Sequence, residues 1–324
     1  MKRRVDGAGE PLTPHLGGDV GLPWGWRERW PLLAAIAVEG VAAAFLVVLQ
    51  LRAQAERPPG GRYPSPFFHI MATIDWAGAV AGCVLLAAAC LLPPPRWIDR
   101  LVDWLGRRAV LVAVAAAAAI AGMSLVVQQA YPLTMDEYAP SFQAEVFARG
   151  RLTGQWPPEL TQLLAPPGAY FLLVSTVTGQ TCSGYWPGHA ALLAPFPFVG
   201  LPWALTPVLS GCCVVLFAQL AGRLFGLRAA GWAVLFALAS PVFAAYGMSF
   251  YAMTAHCTLN MLYAWLLTDP TRRRVAAAGL LGGLGLVLHN PFPHFAFSLP
   301  WLAWLAARRD RWATLPLIGV CYAA

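Results

Sequence analysis

Charge is what this sequence has least of. Charged residues make up 11% of its 324 positions, and lysine occurs once, at Lys2. With 58% hydrophobic residues and a mean hydropathy of +0.58, that leaves too little polar surface for a soluble globule and makes lipid the expected solvent. None of the seven cysteines stands at metal-ligand spacing, which removes zinc-finger and zinc-ribbon readings. Only Cys182 and Cys257 fall in or beside segments placed outside the cytoplasm below, and a disulfide between those two is the one pairing the pattern admits. A cleavage site of small residues is also missing from the hydrophilic leader, which carries Lys2, Arg3, Arg4, Arg27 and Arg29. Residues 1–29 are therefore expected to form a cytoplasmic tail.

What the chain has in quantity is apolar sequence in blocks of roughly 18–25 residues, the length a helix needs to cross a hydrocarbon core. The expected spans are 30–51, 67–92, 109–130, 203–221 and 229–248, then three shorter ones with soft ends, 253–267, 275–288 and 295–307, with a further apolar run over 312–324. The expected fold is all-α, a polytopic membrane protein of about eight or nine transmembrane helices with a long outer loop carrying interfacial helices. The last run would rise only about 20 Å as a helix, short of the core thickness. It predicts either a fragment of a longer protein, the reading favoured here, or a degenerate terminus packed on its neighbours.

The net charge of +7 sits in short clusters between apolar runs and not along one face, so topology explains it and nucleic acid is not an expected partner. With the amino terminus inside, Arg96, Arg100, Arg107 and Arg108, then Arg223 and Arg228, then Arg272 to Arg274, then Arg308, Arg309 and Arg311 all fall on the cytoplasmic side. Only Arg52, Arg57, Arg62, Arg149 and Arg151 remain outside, as the positive-inside rule predicts. Arginine in place of lysine is the mark of a GC-rich bacterial genome. The expected location is the plasma (inner) membrane, multi-pass, with the loop facing periplasm or cell exterior.

The longest stretch between spans, 131–202, lies on that outer face, and long loops in compact proteins usually bind or catalyse. It opens on Asp136 and Glu137 directly after a span. Thr134-x-x-Glu137 is a capping-box pattern, and adjacent side chains on a helix diverge by about 100°, so one carboxylate can cap while the other faces a site. Phe142, Val146 and Phe147 predict a short interfacial helix over 139–149. His189, His256, His289 and His294, four of the six histidines, are placed at the same membrane level, where each alone reads as an interfacial residue and together they suggest a shared site. Glu39 and Asp75 sit within the first two spans, where an ionisable group marks an ion path or a paired fastening of two helices.

The stretch Met135-Asp136-Glu137-Tyr138, Phe142-Gln143-Ala144, Ala148-Arg149-Gly150-Arg151-Leu152 resembles the Asp-Glu loop of GT-C glycosyltransferases. The branch it is most similar to is that of dolichyl-phosphate-mannose-protein mannosyltransferases and bacterial lipid A and envelope glycosyltransferases. Tyr185-Trp186-Pro187-Gly188-His189 through Pro195-Phe196 resembles that branch's Pro-Gly segment, and Ser240-Pro241 with Ser249 to His256 its next outer turn. The resemblance covers 109–324, making 30–92 two accessory helices ahead of a GT-C-like core that is incomplete at its carboxyl end.

The resemblance implies transfer of a sugar, with inversion, from a polyprenyl-phosphate-linked donor to an envelope lipid, glycan or protein acceptor on the outer face. Membrane lipid, donor and acceptor are the implied partners. Asp136 is implied as general base, or as ligand to a divalent metal that serves as the only cofactor, with Glu137 beside it. Arg149, Arg151, His189, His256 and His289 are the implied substrate-binding residues, arginine's planar fork being best matched to phosphate. Two other classes stay open: a transporter or flippase of a lipid-linked precursor, for which Glu39 and Asp75 would carry coupling ions, and a non-catalytic membrane assembly protein.

Overall fold

The computed structural model describes residues 26–55, 76–91, 96–164, 171–308 and 312–323. Residues 1–25 of the expected tail, Asp75 and the side chain of Glu39 lie outside that description. The chain divides into two compact units, one up to Pro95 and one from Arg96 onward. In the first, helices α1 (Trp26–Ala55) and α2 (Trp76–Leu91) pack on each other.

The second unit is mostly helical. It opens with α3 (Arg96–Arg107) and α4 (Ala109–Val126), parted at Arg108, whose φ of −110° and ψ of 22° leave the helical region. Helix α5 (Met135–Ala148) starts the long loop, which also holds α6 (Pro187–Leu193). Then come α7 (Leu205–Phe225), α8 (Leu227–Ala239), α9 (Pro241–Met248), α10 (Met253–Leu267), α11 (Arg272–Val287), α12 (Pro291–Ala307) and α13 (Thr314–Ala323).

Among the described residues, α4 and α7 are long and apolar enough to cross a membrane, and the α8–α9 pair makes a third if counted as one span. The sequence predicts 229–248 as one straight span; instead it bends by 65° at Ser240–Pro241. Pro241 occupies the first helical position, where its missing N–H costs nothing, and the Ser240 hydroxyl caps by accepting from Phe243 N at 3.2 Å.

The loop holds more than helices. Strands β1 (Gly154–Gln155), β2 (Leu172–Val174) and β3 (Gln180–Ser183) form an antiparallel sheet in the order β1-β3-β2, with Leu173 opposite Cys182 and Gly154 opposite Thr181. The Cys182–Cys257 pairing that the sequence admits does not form: both thiols are free, Cys182 in β3 and Cys257 in α10.

Three apolar clusters hold the second unit. Leu105, Val112, Ala113, Val214, Ala230 and Val234 join α3, α4, α7 and α8. Ala144, Ala190, Leu193, Leu205 and Phe250 fasten the loop helices to the end of α7. Tyr263, Leu267, Val275, Ala278 and Ile318 tie α10, α11 and α13 together. Helix α3 lies so close to α8 that a Cβ on Gly231 would stand 1.9 Å from the Val102 carbonyl oxygen. Gly231→Ala is therefore expected to destabilise by about 1–3 kcal/mol, read as a lowered thermal midpoint in detergent. Gly122→Ala, with nothing within 4 Å of its Cβ, should leave that midpoint unchanged or raise it. An unchanged midpoint for Gly231→Ala would rule out the close α3–α8 contact.

Candidate functional site

Glu137 and Asp136 are neighbours in sequence with opposite fates. Glu137 is 1% exposed, and its carboxylate is surrounded by donors. Oε1 accepts from Gln128 Nε2 and from Phe250 N, each at 3.0 Å, and Oε2 from Leu133 N at 2.9 Å, Thr134 N at 3.1 Å and Thr134 Oγ1 at 3.4 Å. The capping box legible in the sequence is thus formed, and the same side chain ties the end of α4, the start of α5 and the Phe250 turn between α9 and α10 into one junction. These contacts engage both oxygens.

Asp136 is half-buried and turns the other way. The Tyr185 hydroxyl donates to its Oδ1, and among the described residues Oδ2 accepts nothing. Burial, and then the bond to the Asp136 carboxylate, raise the Tyr185 phenol far above its ordinary range, so it stays a proton donor. The ring of Tyr185 stacks on His289, centroids 4.5 Å apart and planes 29° from parallel. Burial lowers the His289 pKa, against an opposing pull from the Asp136 charge. Pro140, inside α5, has no N–H to give the Asp136 carbonyl, so the helix is weakened at the turn that carries the carboxylate.

The Pro187-Gly188-His189 segment completes the wall. A Cβ on Gly188 would fall 2.6 Å from the Val287 carbonyl oxygen, and His189 N donates to the Leu288 carbonyl at 2.7 Å. Only glycine lets α6 press against the end of α11, and that contact sets the turn carrying His289. The His189 side chain is 1% exposed, and its Nε2 lies 3.0 Å from the Phe250 carbonyl. A carbonyl only accepts, so Nε2 carries the proton.

His256, buried on α10, is an electrostatic neighbour of His189, His289 and His294. Among the described residues His189 Nδ1, His256 Nδ1 and Nε2, and His289 Nδ1 are buried without a hydrogen-bond partner. Such a concentration of unpaired polar atoms is costly unless a ligand or water satisfies them. His294 and Asn290 do structural work instead. His294 bonds Asn260 Oδ1 at 2.7 Å and Tyr322 at 2.9 Å, and Asn290 caps α12 through Phe292 N at 3.0 Å.

The structure therefore brings Asp136, His189, His256 and His289 to one region and adds Tyr185, which the sequence reading had only as part of the Pro-Gly segment. It does not bring Arg149 and Arg151 there. They stand just beyond the far end of α5, about 20 Å along the axis from Asp136 at 1.5 Å per residue. Arg149 is exposed and faces Glu145 at 3.8 Å. Among the described residues no three His, Cys, Asp or Glu side chains converge as a metal ion requires. Glu137, which stands beside Asp136 in the implied metal site, has both oxygens taken up by its donors, so this donor set does not fit a divalent ion.

The buried His189 yields a pH prediction. Burial lowers its pKa from 6.5 to about 4. The unfolded chain takes up that proton near pH 6.5 and the folded chain only near pH 4, so stability is fully present above pH 6.5 and falls as pH drops through that window. His189 alone should cost about 2 kcal/mol between pH 7 and pH 5. Denaturant unfolding of wild type and His189→Gln at both pH values checks this: the variant should lose less on acidification, and equal losses would contradict the neutral buried imidazole.

No family model matches this chain, and neither the curated proteins nor the solved structures include a match to it.

Proposed function

We propose that this chain is a membrane glycosyltransferase of the GT-C kind, moving a sugar from a polyprenyl-phosphate-linked donor to an envelope lipid, glycan or protein acceptor with inversion at the anomeric carbon. The observation that carries the reading is the division between the paired carboxylates: Glu137 is consumed by the fold, while Asp136, in the first turn of α5 shortly after a helix long enough to span a membrane, keeps an oxygen without a partner among the described residues. In this reading the chain crosses the plasma membrane about eight or nine times with its amino terminus in the cytoplasm, and Asp136 lies at the outer headgroup level, where the donor's phosphate also sits.

The acceptor hydroxyl oxygen attacks the anomeric carbon, the bond from that carbon to the phosphate oxygen breaks, and the hydroxyl proton passes to Asp136 Oδ2. Polyprenyl phosphate leaves. Tyr185 holds Oδ1 and fixes the carboxylate's direction. The unpaired nitrogens of His256 and His289 supply neutral polar partners for donor or leaving phosphate, in place of the two arginines that the resemblance suggested, while His189 Nδ1, which carries no proton, can accept from a sugar hydroxyl. The test is transfer from radiolabelled polyprenyl-phosphate sugars by the full-length protein in membranes, comparing wild type with Asp136→Asn. Undiminished transfer by the variant removes the proposed role. Translocation of the lipid-linked sugar without transfer would favour the transporter class.

A further inference from the structure

We infer that the end of the second unit remote from Asp136 binds an anionic phospholipid, its headgroup held along α3 and at the α3–α4 junction and one acyl chain laid between α4 and α7. The inference begins with the three sides of α3. Val102 and Leu105 are buried in the core. A second side faces the start of α8, where Asp99 pairs with Arg228 and Gly106 meets the Leu227 carbonyl. The third carries Trp97, Arg100, Trp104 and Arg107, spaced i, i+3, i+7 and i+10, which puts them in one stripe along the helix.

Among the described residues the stripe is left largely open. Trp97 is 62% and Trp104 50% exposed, Arg100, Arg107 and the following Arg108 are exposed, and none of the three arginines forms an ion pair among the described residues. Two large indoles open to water on a soluble surface would be costly. Tryptophan alternating with arginine one turn apart, directly before a helix long enough to span, suits the headgroup layer, where an indole lies in the boundary and a guanidinium meets phosphate. Helix α4 has 18 residues, so its start, where the stripe ends at Arg107 and Arg108, lies about 27 Å along the helix from the end that leads on to Asp136, which in the proposed function puts it at the leaflet opposite the donor's phosphate.

The second, independent observation is a cavity of about 820 Å³ bounded by Arg107, Arg108 and α7. It shares Val110, Val114 and Gln219 with a second cavity of about 630 Å³ that continues between α4, α7 and α10, with walls almost wholly apolar. A path thus leads from two unpaired guanidiniums into a greasy groove. Charge at one end and hydrocarbon along the rest is the complement of one phospholipid molecule with net negative charge, and basic pockets between spanning helices hold such headgroups.

The test is thermal unfolding of the full chain in a non-ionic detergent, titrated with phosphatidylglycerol or with phosphatidylcholine. Phosphatidylglycerol should raise the midpoint saturably and phosphatidylcholine should not, and Arg107→Gln combined with Arg108→Gln should weaken the apparent affinity for phosphatidylglycerol roughly 10- to 30-fold. Arg149→Gln with Arg151→Gln, at the other end of the molecule, should retain the full gain. An equal gain from both lipids, or an undiminished response in the Arg107/Arg108 variant, overturns the site. Should that variant fail to fold, native mass spectrometry of wild type with equimolar lipids decides: preferential retention of phosphatidylglycerol supports the site, and equal retention refutes it. None of these readouts depends on sugar transfer.

Discussion

Asp136→Asn is expected to reduce sugar transfer by about 10²–10⁴-fold, the range usual for removing a general base, while leaving the thermal midpoint close to wild type. Asparagine keeps the shape of the side chain and an oxygen that can accept from the Tyr185 hydroxyl, so the contact joining α5 to the loop survives. What is lost is the second oxygen's capacity to take a proton. In the proposed reading, membranes carrying the variant should still bind donor, because the unpartnered nitrogens of His256 and His289 are untouched. A loss of transfer accompanied by a large fall in the midpoint would show that Asp136 acts in folding and would remove its catalytic assignment. Tyr185 and His289 share one stacked unit with the carboxylate, so neither can serve as an independent control.

Every apolar block read from the sequence carries a helix, because a run of apolar residues cut by Pro, Gly and Arg marks both the body and the ends of such elements. The break at Ser240–Pro241 could also be read, since that pair is a helix start signal inside a nominal span. The sheet could not. Strands of two to four residues give no usable alternation, and β3 is held by Gln143, whose Oε1 accepts from Ser183 N at 2.9 Å across 40 residues. That contact is what brings Tyr185 to Asp136, 49 residues earlier, so the tyrosine's part was hidden by tertiary pairing. That Glu137 caps α5 while Asp136 turns the other way was legible from helix geometry and the capping box. Arg149 and Arg151 entered through the resemblance and their match to phosphate, and the 14-residue helix that sets them away from Asp136 was already legible in the same stretch.

Glu137 should give the opposite signature from Asp136. Glu137→Ala leaves Gln128 Nε2, the N–H groups of Leu133, Thr134 and Phe250, and the Thr134 hydroxyl without their common acceptor. Stranding buried donors costs about 1–3 kcal/mol for each one left without a partner, and several are stranded at once, so the variant should melt far below wild type or fail to accumulate. Glu137→Gln is the finer probe. If its amide nitrogen takes the Oε2 place it faces two backbone N–H groups that cannot turn away. If it takes the Oε1 place, Gln128 can flip its own amide to accept, and only Phe250 N is stranded. The second arrangement should prevail, at a cost of about 1–3 kcal/mol for the unpaired N–H. That cost falls on the turn whose Phe250 carbonyl holds His189, so transfer should drop together with the thermal midpoint. A Glu137→Gln protein that melts like wild type but has lost transfer would instead assign this carboxylate to the chemistry and remove the distinction between the two residues on which the proposed mechanism rests.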